Sequence, residues 1–102
     1  MAETRVASLS EIPVGEMRGY EVEGAPVALA NQDGTIHAFS NVCTHMSCSL
    51  DDGELVDGQV QCLCHGSVFD LTTGEPTELP ATEPIRVYPV RVEADDVFVS
   101  LE

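Results

Sequence analysis

Two short segments hold most of the chemistry available to this 102-residue chain: Cys43-Thr44-His45-Met46-Ser47-Cys48 and Cys62-Leu63-Cys64-His65-Gly66-Ser67. Together they contain all four cysteines and two of the three histidines. Each pairs a thiol with an imidazole at metal-ligand spacing, Cys43 with His45 as C-x-H and Cys62 with His65 as C-x-x-H. Thiolate is a soft anionic ligand and imidazole a neutral one, a set that suits a transition metal. Three centres compete for it. A structural zinc ion accepts two cysteines and two histidines tetrahedrally, but zinc fingers usually pair like with like in each half, and two cysteines would be left unused. A four-cysteine iron–sulfur cluster of plant-type spacing could begin at Cys43 and Cys48, but its next cysteine would fall where Asp51 stands. A mixed cluster, with two cysteines on one iron and two histidines on the other, needs one of each from two loops, which is the arrangement here.

The scaffold that positions these loops is small. One domain is expected over residues 1–102, with a hydrophobic share of 43%, enough for a compact core and too high for a disordered chain. Asp and Glu number 18 against 4 basic residues, all arginine, for a net charge of −14. Nucleic acid and anionic membranes both need a basic patch, so this balance argues against either as partner. It fits solubility or adaptation to salt, or electrostatic steering toward a basic protein surface. The first residues are charged and lead into no apolar signal core, and the longest apolar stretch, near Ala25–Ala30, is far short of a membrane span. A cytoplasmic location is the expectation.

The chain reads as strands and turns. Residues 4–9 alternate weakly, and residues 17–23 alternate around Tyr20 and Val22. The apolar run Pro26–Ala30, the turn Gln32-Asp33-Gly34 and the strand Thr35–Phe39 predict a hairpin. Val60, Cys62 and Val68–Asp70 mark short strands, and Thr73-Gly74-Glu75-Pro76 marks a turn. Near the end, Ile85 and Val87 share one face, the phase slips at Tyr88-Pro89, and Val97, Val99 and Leu101 alternate cleanly after a turn at Ala94–Asp96. No window carries a capped helical pattern. The expected fold is all-β, with a loop-rich insert near residues 41–80.

The order C-x-H, then residues 46–61, then C-x-x-H resembles the pattern of Rieske-type [2Fe–2S] proteins, and Gly66-Ser67 after His65 strengthens the likeness. Small size, strand-rich flanks and a final hairpin near 85–101 resemble a whole Rieske ferredoxin, the electron-transfer component of a multicomponent oxygenase system. The resemblance implies a small antiparallel β-sandwich or barrel with a cluster-binding subdomain. It also implies one [2Fe–2S] cluster, with Cys43 and Cys62 on one iron and His45 and His65 on the other. By the same likeness Cys48 and Cys64 form a disulfide joining the two loops, as in the Rieske proteins of cytochrome complexes; otherwise they are two thiols. Ser67, beside Gly66, would donate a hydrogen bond to a bridging sulfide, where a plainer reading has it capping a turn. Leu79-Pro80-Ala81 would be the proline segment that shields the cluster, where a plainer reading has simple loop. Phe69 reads as core and cannot supply the phenolic hydroxyl found at this place in the cytochrome-complex proteins. His37 reads as an ordinary surface or core imidazole.

The mixed ligand set has an electrostatic consequence. With two thiolates the oxidised core is neutral, whereas four thiolates make it a dianion, so an electron is added more easily and the potential rises. The implied function is a soluble, monomeric one-electron carrier, not an enzyme. It would pass electrons from a flavin-dependent ferredoxin reductase to a terminal oxygenase of the dioxygenase kind. The alternatives are the soluble cluster domain of a cytochrome bc-type complex, suggested by Cys48 and Cys64, and a non-redox zinc scaffold. The sequence names neither the oxygenase, its substrate nor the reductase.

Overall fold

In the computed structural model, which describes residues 3–42, 49–63, 66–78 and 84–101, the apolar run at Pro26–Ala30 lies at the centre of the molecule. It falls in strand β3 (Ala25–Gln32), which pairs antiparallel on one side with β2 (Met17–Val22) and on the other with β4 (Thr35–Ser40). Side chains of a strand alternate between faces. In β3 both faces are covered: Ala28 and Ala30 join one core, Val27 and Leu29 the other. A strand buried on both sides reads as an unbroken apolar run rather than an alternation, and the expected β3–β4 hairpin is present.

Each face of this central sheet carries its own partner layer. On one side lies a three-stranded sheet in the order β1–β11–β10, with β1 at Glu3–Ser8, β10 at Val90–Glu93 and β11 at Asp96–Ser100. Ala7, Val97 and Val99 from this sheet pack on Val22, Val27, Leu29, Ile36 and Ala38. On the other side lies a small four-stranded sheet of β5 (Glu54–Val56), β6 (Gln59–Gln61), β7 (Val68–Asp70) and β8 (Pro76–Glu78) in sequence order. Its inner face sets Val60 and Phe69 against Ala28, Ala30 and Phe39. All pairings are antiparallel, and the described residues contain no α-helix, only 3₁₀ turns at Leu9–Glu11 and Leu50–Asp52. The all-β expectation holds.

One sequence expectation needs correction and another is filled in. The segment near 85–101 is not one hairpin. Val87–Tyr88 forms a short strand, β9, that pairs with Ala38 and Phe39 of β4 in the central sheet, and only β10 and β11 pair with each other. The phase slip at Tyr88-Pro89 is therefore a change of sheet. Proline has no N–H for a ladder, and the chain crosses there with the Pro89 carbonyl accepting from Ser100 N–H at 3.0 Å. The loop-rich insert holds the whole β5–β8 sheet: the strands expected around Val60 and at Val68–Asp70 are β6 and β7, Cys62 falls just past β6, and β5 and β8 are additional. Strands of three residues are too short to show a period. The β5–β6 hairpin turns on Asp57-Gly58 with φ of 45° and 81°, the left-handed pair favoured in two-residue hairpin loops.

Candidate metal centre

Of the four expected ligands, the described residues include Cys62; Cys43, His45 and His65 lie outside them, as do Cys48, Cys64 and Pro80. The frame that carries both ligand loops is nevertheless on view. Cys62 follows directly on β6 and is buried in the core with Phe39, Leu50, Val60 and Phe69. Its N–H donates to the Ser67 carbonyl at 2.7 Å, and its own carbonyl accepts from Gly66 N–H at 3.0 Å. These bonds extend the β6–β7 pairing of Gln61 with Val68 by one rung and pinch off the loop between Cys62 and Ser67. Gly66 takes a φ of +77° inside it, a conformation that side-chain-bearing residues rarely adopt. Ser67 is fully buried at the root of the same loop.

The loop at 43–48 is closed in a similar way. Val42 and Ser49 form an antiparallel bridge across its base. One residue further out, Asn41 makes four bonds. Its N–H donates to the Pro26 carbonyl and its carbonyl accepts from Leu50 N–H, each at 3.1 Å. Its side-chain Nδ2 donates to Asp51 Oδ1 and its Oδ1 accepts from Asp51 N–H, each at 2.8 Å. A typical bond of this kind contributes about 1 kcal/mol net, and one to a charged group about twice that. Leu50, next in the chain, is fully buried in the core that holds Cys62. Both loops therefore spring from one packed base.

A third loop is tied to the same base. Gly74 and Ile85 close the segment that contains residues 79–81: Ile85 N–H donates to the Gly74 carbonyl at 2.8 Å, and Gly74 N–H donates to the Asp70 carbonyl at 2.8 Å. A Cβ on Gly74 would stand 2.2 Å from the Ile85 carbonyl oxygen, so only glycine fits. Phe69 is fully buried in the core, as expected. His37 sits in β4 opposite Ala30 with its imidazole half-buried. Burial lowers its pKa, opposed by the Asp70 carboxylate.

The electrostatics of this end are one-sided. Arg5 pairs with Asp96 at 2.8 Å, Arg18 with Glu16 at 2.7 Å, and Arg91 with Glu3 and Glu93 at 2.9 and 2.6 Å. Arg86 lies over the Tyr88 ring at 5.4 Å. Among the described residues no arginine is ion-paired with Asp51, Asp52, Glu54 or Asp57. Glu54 lines the same hollow as Cys62 and Leu63, Arg18 lines a neighbouring hollow with Asp51 and Glu54, and Asp57 stands at the far tip of the β5–β6 hairpin. Leu63, beside Cys62, is 69% exposed, an apolar residue at the mouth of the site. Among the described residues no three cysteine, histidine or carboxylate side chains are grouped to bind a metal ion. Sequence reasoning did not reach Asn41, Gly19 or Gly53. An asparagine before a ligand loop carries no pattern, and close backbone approaches by glycine show only in three dimensions.

The described part of the site is thus a buried thiol, Cys62, at the root of a pinched hairpin, in one core with Leu50. The family model for the Rieske [2Fe–2S] domain matches residues 2–89, and the chain belongs to that family. Its cofactor is a Rieske-type [2Fe–2S] cluster, and within the family it is an electron carrier of the ferredoxin kind rather than an enzyme. It is 38% identical over 94 residues to the ferredoxin component of the naphthalene 1,2-dioxygenase system of Pseudomonas aeruginosa, an alignment covering 92% of this chain and 90% of the relative. The fold superposes on the ferredoxin of carbazole 1,9a-dioxygenase from Nocardioides aromaticivorans IC177 with a TM-score of 0.95 and 31% identity, covering all of both chains. It also matches a chain in the complex of reduced oxygenase and oxidized ferredoxin of carbazole 1,9a-dioxygenase, with a TM-score of 0.89 and 31% identity over 96% of this chain and 92% of that one.

Proposed function

We propose that Cys43 and Cys62 ligate one iron of the cluster and His45 and His65 the other, and that the chain carries single electrons from a flavin-dependent reductase to the terminal oxygenase of an aromatic-ring dioxygenase system. The observation that carries this reading is that Cys62 and Leu50, which stand at the bases of the two ligand-bearing segments, occupy one core. The likeness to dioxygenase ferredoxins over nearly the whole chain supports the partners. When bound, the cluster supplies a one-electron site. The chain keeps Cys62 out of water, spaces the loops and presents Leu63 and a carboxylate rim to a partner.

We further propose a Cys48–Cys64 disulfide between the loops, a cytoplasmic location and one domain over residues 1–102 with its cluster-binding part within 41–80. Among the described residues no helix is long and apolar enough to cross a membrane. Anaerobic titration tests the main reading: the coloured protein takes up one electron per cluster from a flavin reductase and is reoxidised by the terminal oxygenase. A colourless zinc protein, or a reduced form that the oxygenase does not reoxidise, overturns it.

Ser67 gives a finer test. Hydrogen bonds to cluster sulfurs stabilise the added electron, and we assign one to the Ser67 hydroxyl. Phe69 offers no phenolic partner for a second. Rieske potentials span about −150 to +300 mV, and roughly −100 to +150 mV is expected here, with a fall on Ser67→Ala. Protein-film voltammetry decides this: a variant value equal to or above that of the parent removes Ser67 from the tuning of the cluster.

A further inference from the structure

We propose that Asn41 and Asp51 form a latch that sets the spacing of the two ligand loops, making Asn41 a positioning residue for the redox centre from outside its ligand set. This rests on the ligand assignment proposed above. The geometry has three parts. Asn41 leads into the 43–48 loop and Asp51 follows it, and the paired side-chain and main-chain bonds between them, both 2.8 Å, hold its two ends together. The latch is backed by the central sheet: a Cβ on Gly19 of β2 would stand 2.7 Å from Asp51 Oδ2 and 2.8 Å from Asn41 Nδ2, so β2 lies directly against it. The turn that contains Asp51 then reaches the other loop, because a Cβ on Gly53 would stand 1.8 Å from the Gln61 carbonyl oxygen, the residue before Cys62.

The 3₁₀ turn Leu50–Asp52 is thus a spacer with no slack. Its first residue, Leu50, is buried in the core and bonded to Asn41, its middle residue, Asp51, is pinned to the Asn41 side chain, and Gly53 just past it abuts the peptide that carries Cys62. A movement of Asp51 relative to Asn41 changes the distance between the loops rather than being absorbed elsewhere, because packed interiors transmit displacement. A side chain that fixes the geometry of metal ligands without touching the metal tunes the centre as outer-shell partners do.

The experiment compares the reduced, cluster-loaded parent with Asn41→Ala, Asp51→Asn and Asp51→Ala by electron paramagnetic resonance and voltammetry. The parent must first give the low-average-g [2Fe–2S] signal; its absence overturns the ligand assignment itself. Given that signal, Asn41→Ala broadens the g-values, lowers the midpoint potential and shortens the lifetime of the cluster colour at least threefold. Asp51→Asn keeps the oxygen that accepts from Asn41 and removes a charge, so it retains the parent line shape while its potential rises. Asp51→Ala removes the same charge and one bond of the latch, and broadens the signal. The latch is overturned if Asn41→Ala lowers only the melting temperature and leaves line shape and potential at parent values. It is equally overturned if Asp51→Asn broadens the signal as much as Asp51→Ala. Should Asn41→Ala fail to load, the two Asp51 variants decide alone, and identical line shapes in that pair overturn the proposal.

Discussion

His65→Ala abolishes the low-average-g [2Fe–2S] signal of the reduced protein and His45→Ala does the same, whereas His37→Ala retains it. Loss of one imidazole takes half the protein ligation from one iron. Removing an outer-shell partner alone typically costs about 10–100-fold in metal affinity, and a direct ligand costs more. His37 is the internal control, since it stands in β4 opposite Ala30, on the strand face shared with Phe39 rather than in a ligand loop. Iron content and the spectrum, measured on the same samples, separate loss of the cluster from a change in its symmetry. A His65→Ala protein with the parent signal and full iron content refutes the assignment of that ligand.

The rate of electron transfer to the terminal oxygenase falls at least about tenfold between about 0.02 M and 0.5 M salt, a range over which the screening length shrinks to roughly 4 Å. The cause is the imbalance at the loop end. Asp52 and Glu54 have no described arginine within ion-pair reach, Arg5 and Arg91 are tied to carboxylates of the β1–β11–β10 sheet, and Arg18, the arginine nearest this end, is already paired with Glu16. A partner rimmed with basic residues is drawn to that end, and opposite potentials chiefly raise the association rate. Neutralising these two carboxylates as Asp52→Asn and Glu54→Gln therefore slows transfer at low salt and flattens the salt dependence, leaving the rate at about 0.5 M nearly unchanged. Stopped-flow reoxidation over the salt series reads both. A rate that is flat or rises with salt in the parent rejects steering and leaves the acidic surface to solubility.

The proposed ligands stand out in the sequence because metal chemistry constrains residue type and spacing along the chain, and Cys43, His45, Cys62 and His65 carry that pattern in two short words. The central hairpin was legible for a different reason: burial on both faces turns β3 into an apolar run, and Gln32-Asp33-Gly34 marks its turn. The proline at 89 announced an irregularity but not its meaning, since leaving one sheet for another and bulging within one produce the same slip in phase. Half of the small β5–β8 sheet was legible, β7 at Val68–Asp70 and β6 around Val60, whereas β5 and β8 were hidden by brevity, because three residues cannot display a period. The frame of the site was hidden altogether. Asn41 with Asp51, Gly19 and Gly53 act through contacts between segments far apart in the chain, and none of these residue types is unusual where it stands.

The pairing of the first strand with the last has an architectural consequence. Glu3 lies opposite Ser100, so the entering and leaving strands run side by side in one sheet. That sheet covers one face of the central layer, and the sheet that bears Cys62 covers the other. The unit is therefore a cassette with its splice point on one side and its electrical contact on the opposite side. A neighbouring module joined at the splice point would meet the β1–β11 edge and leave the contact open to a docking protein, so this architecture can serve as a mobile carrier or be built into a larger chain without rewiring the redox end.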